Sequence, residues 1–194
     1  MKKKIIFIGV VSLLILIASC NQRQTKTATM SQDTESALKE EGSSESGVMK
    51  LKVRIDSAKM IEYTDKTYNV TVFYPDFFQD SDTTENGTAR FNYPDDINRE
   101  ISLIMFVEPN VDGWSVKEAV KHLSDSLNHC VKEGDNYFIM SGQLDGSAQF
   151  LFLEKCFLID NKWVDYTLYY HSQHKEAIGR LVDLLMAWEP NGRK

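Results

Sequence analysis

"SAQFLFLEKCFLIDNKWVDYTLYYH", residues 147–171, decides the fold. Its first part, Ser147 to Asp160, is apolar on both faces over much of its length, which suits a strand in the middle of a sheet. Asp160-Asn161 is a turn pair that sends the chain back through "KWVDYTLYYH", rich in β-branched and aromatic residues. On the returning strand Tyr166, Leu168 and Tyr170 share one face, and Trp163, Thr167 and Tyr169 share the other. Left exposed, these aromatics would mark a binding surface; buried, they are core. A helix follows from about Gln173 to Trp188. Ala177, Ile178, Leu181, Leu185 and Trp188 form its apolar stripe, and Pro190 stops it. A helix with one apolar stripe has to cover it, and the sheet is the surface at hand.

Upstream, "YFIMSGQ" (137–143) reads as another strand, and "SVKEAVKHLSDSLNHCV" (115–131) as another helix. Val116, Ala119, Val120, Leu123, Leu127, Cys130 and Val131 draw its stripe. Ser115 is its N-cap, and Glu118 three residues on completes a capping box. "MIEYTD" (60–65), "YNVTVFYP" (68–75), "ARFNYP" (89–94) and "ISLIMFVE" (101–108) read as strands. So does "MKLKVRID" (49–56), where Met49, Leu51, Val53 and Ile55 alternate with Lys50, Lys52, Arg54 and Asp56. "DFFQDSDTTENGT" (76–88) is a loop with a turn signal at Asn86-Gly87. Short links between strands favour antiparallel pairing. The expected fold class is α+β: a mainly antiparallel sheet of about six or seven strands packed with two amphipathic helices.

Three stretches give this order a likeness: "YNVTVFYPDFF", "SVKEAVKHLSDSL" after a strand ending in Val-Glu-Pro, and the closing "KWVDYTLYYHSQHKEAIGRLVDLLMAW". Together they resemble the PsbP-like fold over about residues 66–188. That resemblance implies a domain that binds or assembles with other proteins, and it brings no catalytic residues to place here.

The first residues are of another kind. Lys2, Lys3 and Lys4 precede 13 uncharged residues, Ile5 to Ile17, and then Ala18, Ser19 and Cys20. A basic start, a short apolar run and small residues mark a secretory signal peptide. The run is short of the ~20 apolar residues that span a bilayer. Ile17-Ala18-Ser19-Cys20 resembles the lipobox of bacterial lipoproteins. The resemblance implies cleavage before Cys20 and acylation of that cysteine. Two or more acyl chains hold a protein stably where one does not. Removing residues 1–19 takes away three lysines and no acids, so a net charge of −6 becomes −9. So acidic a chain does not suit nucleic acid, whose phosphates need a basic face.

Asn21 to Gly47 has no aromatic residue and few apolar ones, so it cannot offset the entropy of ordering. It reads as a tether, with a short helix conceivable near Glu35–Glu41. The expected organisation is a signal peptide at 1–19, a lipidated Cys20 and tether at 20–47, and a globular domain at 48–190. Asn21 after the cysteine, with no acidic cluster at the mature start, points to the periplasmic side of the outer membrane.

The chain carries no Gly-rich phosphate loop, no HExxH and no G-x-S-x-G. Glu118, His122, Asp125 and His129 would share one helix side, and His171 and His174 flank "SQ". Solvation explains both sets without a metal, so no metal and no cofactor are expected. Cys130 and Cys156 are expected as two buried free thiols, one on a helix and one in the sheet. In the loop, Phe77 and Phe78 beside Asp76, Asp80, Asp82 and Glu85 form the candidate interface. The expected function is that of a lipid-anchored envelope module that binds or assembles with an envelope protein. The alternative is an envelope hydrolase without a readable motif.

Overall fold

The computed structural model describes residues 37–81, 87–93, 101–144 and 146–190, with side chains from Gly47 onward. The elements run α1 (Ala37–Ser57), β1 (Met60–Asp65), β2 (Val70–Pro75), β3 (Gln79–Asp80), β4 (Thr88–Asn92) and β5 (Ile101–Pro109). Next come α2 (Val116–Leu123), β6 (His129–Glu133), β7 (Tyr137–Leu144), β8 (Ser147–Ile159), β9 (Lys162–His171) and α3 (Gly179–Ala187). A 3-10 turn at Ser172–His174 precedes α3. Seven strands form one antiparallel sheet in the order β3-β4-β5-β9-β8-β7-β6, and β1 and β2 pair as a separate hairpin. The chain is α+β, as its pattern requires, with one more helix than expected.

The hairpin that decides the fold forms as read. Asp160 and Asn161 take φ of +48° and +58°, the left-handed pair a two-residue hairpin turn needs. That turn locks the register, so Cys156 faces Asp165 and Leu153 faces Leu168. The other edge of β9 pairs with β5, Val107 facing Val164. β9 is thus the middle strand.

Alternation divides β9 between two cores. Val164, Tyr166 and Leu168 face a large one with Ala177, Ile178, Leu181, Leu185 and Trp188 from the closing segment, Val70 and Val72 from the hairpin, and Leu51 and Ile55 from α1. Two helix ends are closed there by cations from elsewhere in the chain. Arg180 donates to the carbonyls of Ile55, Asp56 and Ala58 at 2.7–2.9 Å, sealing α1. Lys155, 6 % exposed, donates to Met186 and Trp188 carbonyls at 2.7 and 2.6 Å, sealing α3. Carbonyls at a helix end have no partner within the helix, so each cation meets a need that α1 and α3 cannot meet themselves. Tyr166 donates its hydroxyl to the Phe73 carbonyl, and Trp188 its indole N–H to the Thr71 carbonyl at 2.8 Å.

The closing helix, expected from about Gln173, starts at Gly179 after the 3-10 turn, so Ala177 and Ile178 reach the core from the segment before it. Two larger expectations are also corrected. "MKLKVRID" is not a strand but the end of α1, which runs across the boundary expected between Gly47 and Val48. Leu51 and Ile55 are buried, Val48 is half-buried, and Met49 and Val53 are about 60 % exposed. The spacing 48, 51, 55 is one helix stripe, and eight alternating residues also contain it. The second correction shortens α2. It begins with the expected capping box: Ser115 Oγ accepts from the Glu118 N–H, and Glu118 accepts from the Ser115 N–H. It ends at Leu123, because Asp125 Oδ1 accepts from the Leu127 and Asn128 N–H groups at 2.7 and 2.8 Å. A short polar side chain has there offered the backbone another partner. The chain lies down as a loop on β7, where Gly142 leaves the space; a Cβ would meet Asn128 Oδ1 at 2.0 Å. His129 and Cys130 then belong to β6, and Leu127 and Val131 are exposed.

Candidate functional site

The second face of the sheet is roofed in part by α2. Val116 and Ala119 pack there on Phe138, Met140, Cys156 and Trp163. Strand alternation sends Lys155 to the other face and keeps Glu154 and Cys156 on this one. Asp165 stands opposite Cys156 on the neighbouring strand. Glu108 on β5 pairs with Trp163, one step along from Asp165. Glu108, Glu154, Cys156 and Asp165 line one cavity with Trp114, Ala119, Leu123, Phe138 and Trp163. Its volume is about 10 Å³, room for one water or one ion.

The electrostatics follow from this enclosure. Three carboxyl groups and a thiol line the cavity, and no Lys, Arg or His is among its lining residues. Burial, and then the charge of Glu108, push the Glu154 carboxyl up to about 7. Burial, and then Glu154, push Asp165 well above the usual carboxylate range. Burial raises Glu108. Cys156 is held as a thiol, by burial first and then by Asp165, with which its side chain hydrogen-bonds. Asp165 is 8 % exposed, and its Oδ1 has no hydrogen-bond partner. One oxygen each from Glu154 and Asp165 and the Cys156 sulfur lie within 4.8 Å of one another.

Beyond the edge of α2 the same sheet face continues. Ile104, Phe106, Phe152 and Tyr169 are half-buried there. Phe152 leans on the α2 cluster, and its ring lies 6.3 Å from that of Tyr169. Ile104, Phe106 and Tyr169 join neither core. The face therefore has a closed, acidic half and an apolar half without a described helix over it.

The residues singled out in the sequence have other places. Phe78 is core, 5 % exposed. Phe77 is half-buried, edge-on to Phe78, with the Arg54 guanidinium 4.2 Å from its ring centre. The pair closes the large core beside α1, which removes it as an exposed anchor. Glu118, His122, Asp125 and His129 do not share a helix side. Glu118 caps α2, His122 stacks on Trp114 at 4.6 Å, Asp125 makes the turn, and His129 lies 3.1 Å from Ser141 Oγ on β6. His171 accepts from the Gln173 N–H, and its ring is 6.4 Å from that of His174. Cys130 and Cys156 are both free thiols, Cys156 buried and Cys130 only half-buried, on a strand rather than a helix. Of the β9 aromatics, Tyr166 is core and Trp163 lines the cavity. Cys20 and the segment before it lie outside the described residues. Among the described residues no helix is long and apolar enough to cross a membrane.

The acid cluster escaped the sequence reading, although a signal was present. Glu154 and Asp165 are carboxylates inside two otherwise apolar strands, and the Asp160-Asn161 turn alone pairs residue 156 with residue 165. Glu108 comes from a strand far away in the chain and could not be placed with them.

No family model matches the chain, and no curated protein matches it. Among solved structures it is similar to the solution structure of cyanobacterial PsbP (CyanoP) from Synechocystis sp. PCC 6803. The two are 13 % identical, with a TM-score of 0.47 over 67 % of this chain and 91 % of the other. The fold family expected from the sequence and this neighbour carry the same name. So slight a likeness brings no activity across.

Proposed function

We propose that the chain is a lipid-anchored protein of the bacterial envelope that acts as a binding or assembly module, taking its partner on the apolar half of its α2 face. The anchor rests on the sequence, where a basic start and a short apolar run lead to Ile17-Ala18-Ser19-Cys20. Binding rests on one observation: Ile104, Phe106 and Tyr169 stand half-exposed on a rigid sheet and join neither core. Aromatic groups on a fixed surface lose little freedom when a partner covers them. The second reading, an envelope hydrolase, would draw on Glu154, Asp165 and Cys156. Against it stands the size of their cavity, about 10 Å³, which admits no organic substrate.

Two experiments test the parts separately. Cys20→Ala is expected to give an unprocessed or soluble protein where the wild type partitions into detergent; normal maturation and membrane fractionation of the variant would sink the anchor. A photo-crosslinking residue at position 169, in intact cells, is expected to give a defined adduct that one at exposed position 183 does not. Equal labelling at both positions, or none, would remove the binding face.

A further inference from the structure

Four features of the α2 face meet at one point. Three carboxyl side chains and a thiol converge on one cavity, and no basic residue lines it. The donor atoms of Glu154, Cys156 and Asp165 already lie within 4.8 Å of one another. The cavity has the volume of a single water or ion. Asp165, more than nine-tenths buried, lines it, and its Oδ1 has no hydrogen-bond partner.

We propose that Glu154, Cys156 and Asp165 bind one divalent cation of the zinc class beneath α2, with Glu108 at the side of the site.

The geometry is close to what such an ion needs. Zinc sits ~2.0–2.2 Å from carboxylate oxygen and ~2.3 Å from sulfur, which sets neighbouring donors roughly 3.5 Å apart in a tetrahedron. Closing from 4.8 Å takes side-chain rotation and leaves the strands in place. The ligands come from a hairpin whose register is locked by its turn, so their spacing is built into the sheet. The donor set selects the ion. A thiolate favours zinc and softer metals over magnesium and calcium, which prefer all-oxygen sites. Binding would displace the thiol proton of Cys156 and the protons of the ionising carboxyls. The dication would then stand where those protons stood and give Oδ1 of Asp165 its partner. Trp114 and Trp163 wall the cavity with apolar rings, and a low-dielectric wall strengthens the attraction between ion and ligands. A cluster of protonated acids with no metal is the competing description. It keeps the charges low, and one water in the cavity would then be the partner of that oxygen, so a metal titration decides between the two.

The test uses the full-length chain in detergent, with Cys20 and Cys130 replaced by serine so that Cys156 is the one thiol left. Metal is stripped with a chelator, and the chelator is then removed. One equivalent of Co²⁺ is expected to produce a thiolate-to-cobalt charge-transfer band, and one equivalent of Zn²⁺ to abolish it and raise the unfolding temperature. Asp165→Asn should weaken Zn²⁺ binding by more than about tenfold, the loss brought even by removing an outer partner of a ligand. Cys156→Ser should lose the band and keep the circular-dichroism spectrum. No band and no rise in unfolding temperature in the parent protein would overturn the site, whatever the variants do. So would a band of unchanged strength and affinity in Asp165→Asn and Glu154→Gln.

Discussion

The two faces of the sheet are built on opposite terms. The face under α1, α3 and the β1–β2 hairpin is a continuous apolar core from Leu51 to Trp188. Its buried donors are used: Tyr166, Lys155, Arg180 and the Trp188 indole each donate to a main-chain carbonyl. Its one buried carboxylate among the described residues, Asp65, accepts from the Tyr68 N–H while its Oδ2 has no partner. The face under α2 has one short helix, three acids without a cation among the residues of their cavity, and an apolar stretch past the helix. Burying a charge without a partner is costly, whereas burying apolar surface is the main source of stability. One face is therefore built for stability, and the other gives up stability for groups that stability does not need. This teaches where to look for function in the molecule: on the side where the packing is poorest and the chemistry is richest.

The largest effect is expected on the packed face. Leu185→Ala should cost about 2–5 kcal/mol of unfolding free energy, the range for emptying a buried leucine site. Val120→Ala, half-buried on α2, should cost well under half of that. Equal losses by urea titration would erase the contrast between the faces.

The next effect is one of pH, measured in chelator. The Glu154 carboxyl is raised to about 7 in the fold, against 4.5 for the free side chain. The folded state then holds a proton that the unfolded state has released. Stability contributed by the protonated form is full below about pH 4.5 and is lost as pH rises towards 7, by up to about 3 kcal/mol for this group alone. Glu108 and Asp165 are shifted in the same direction and add to the slope, whereas the Cys156 thiol, raised from 9.0, is protonated in both states over this range and adds nothing. Unfolding midpoints that rise between pH 5 and 7.5 in the stripped protein would reverse the sign of this account.

Ser115→Ala removes the capping box of α2 and should cost about 1 kcal/mol, most visibly as faster amide exchange in Ala119–Leu123. Smallest of all, Tyr169→Ser on the half-exposed apolar half should move stability by less than about 0.5 kcal/mol while reducing crosslinking from position 106. A large loss of stability would show that Tyr169 belongs to a core.

Most of the sheet was legible because β-rich runs and turn pairs are local signals. β1, β5, β8 and β9 fall where alternation and Asp160-Asn161 put them. Alternation misled only at "MKLKVRID", where Leu51 and Ile55 satisfy both periods and tertiary packing against Arg180 chose the helix. The end of α2 was lost because apolar spacing continued past Leu123, while the Asp125 side chain had already ended the helix. The candidate site was half-legible. A carboxylate in an apolar strand is visible on the page, but Glu108 meets Asp165 only through the pairing of β5 with β9. The apolar half of the face was not legible at all, since the half-exposure of Ile104 and Phe106 depends on how far α2 reaches across the sheet, which no local signal gives.

The central place of β9 also sets a timetable. β5 ends at Pro109, and the strand it pairs with does not finish until His171. At about 5–20 residues per second, the ribosome needs roughly 3–12 s to make the intervening chain. Until then β5 has one open edge, and the large core lacks Tyr166, Leu168 and all of α3. During synthesis the described elements up to β5 therefore lack the strand and helix that complete their core. If the export signal proposed for its front is used, that delay would favour it, because translocation of an unfolded polypeptide can begin before there is anything to unfold.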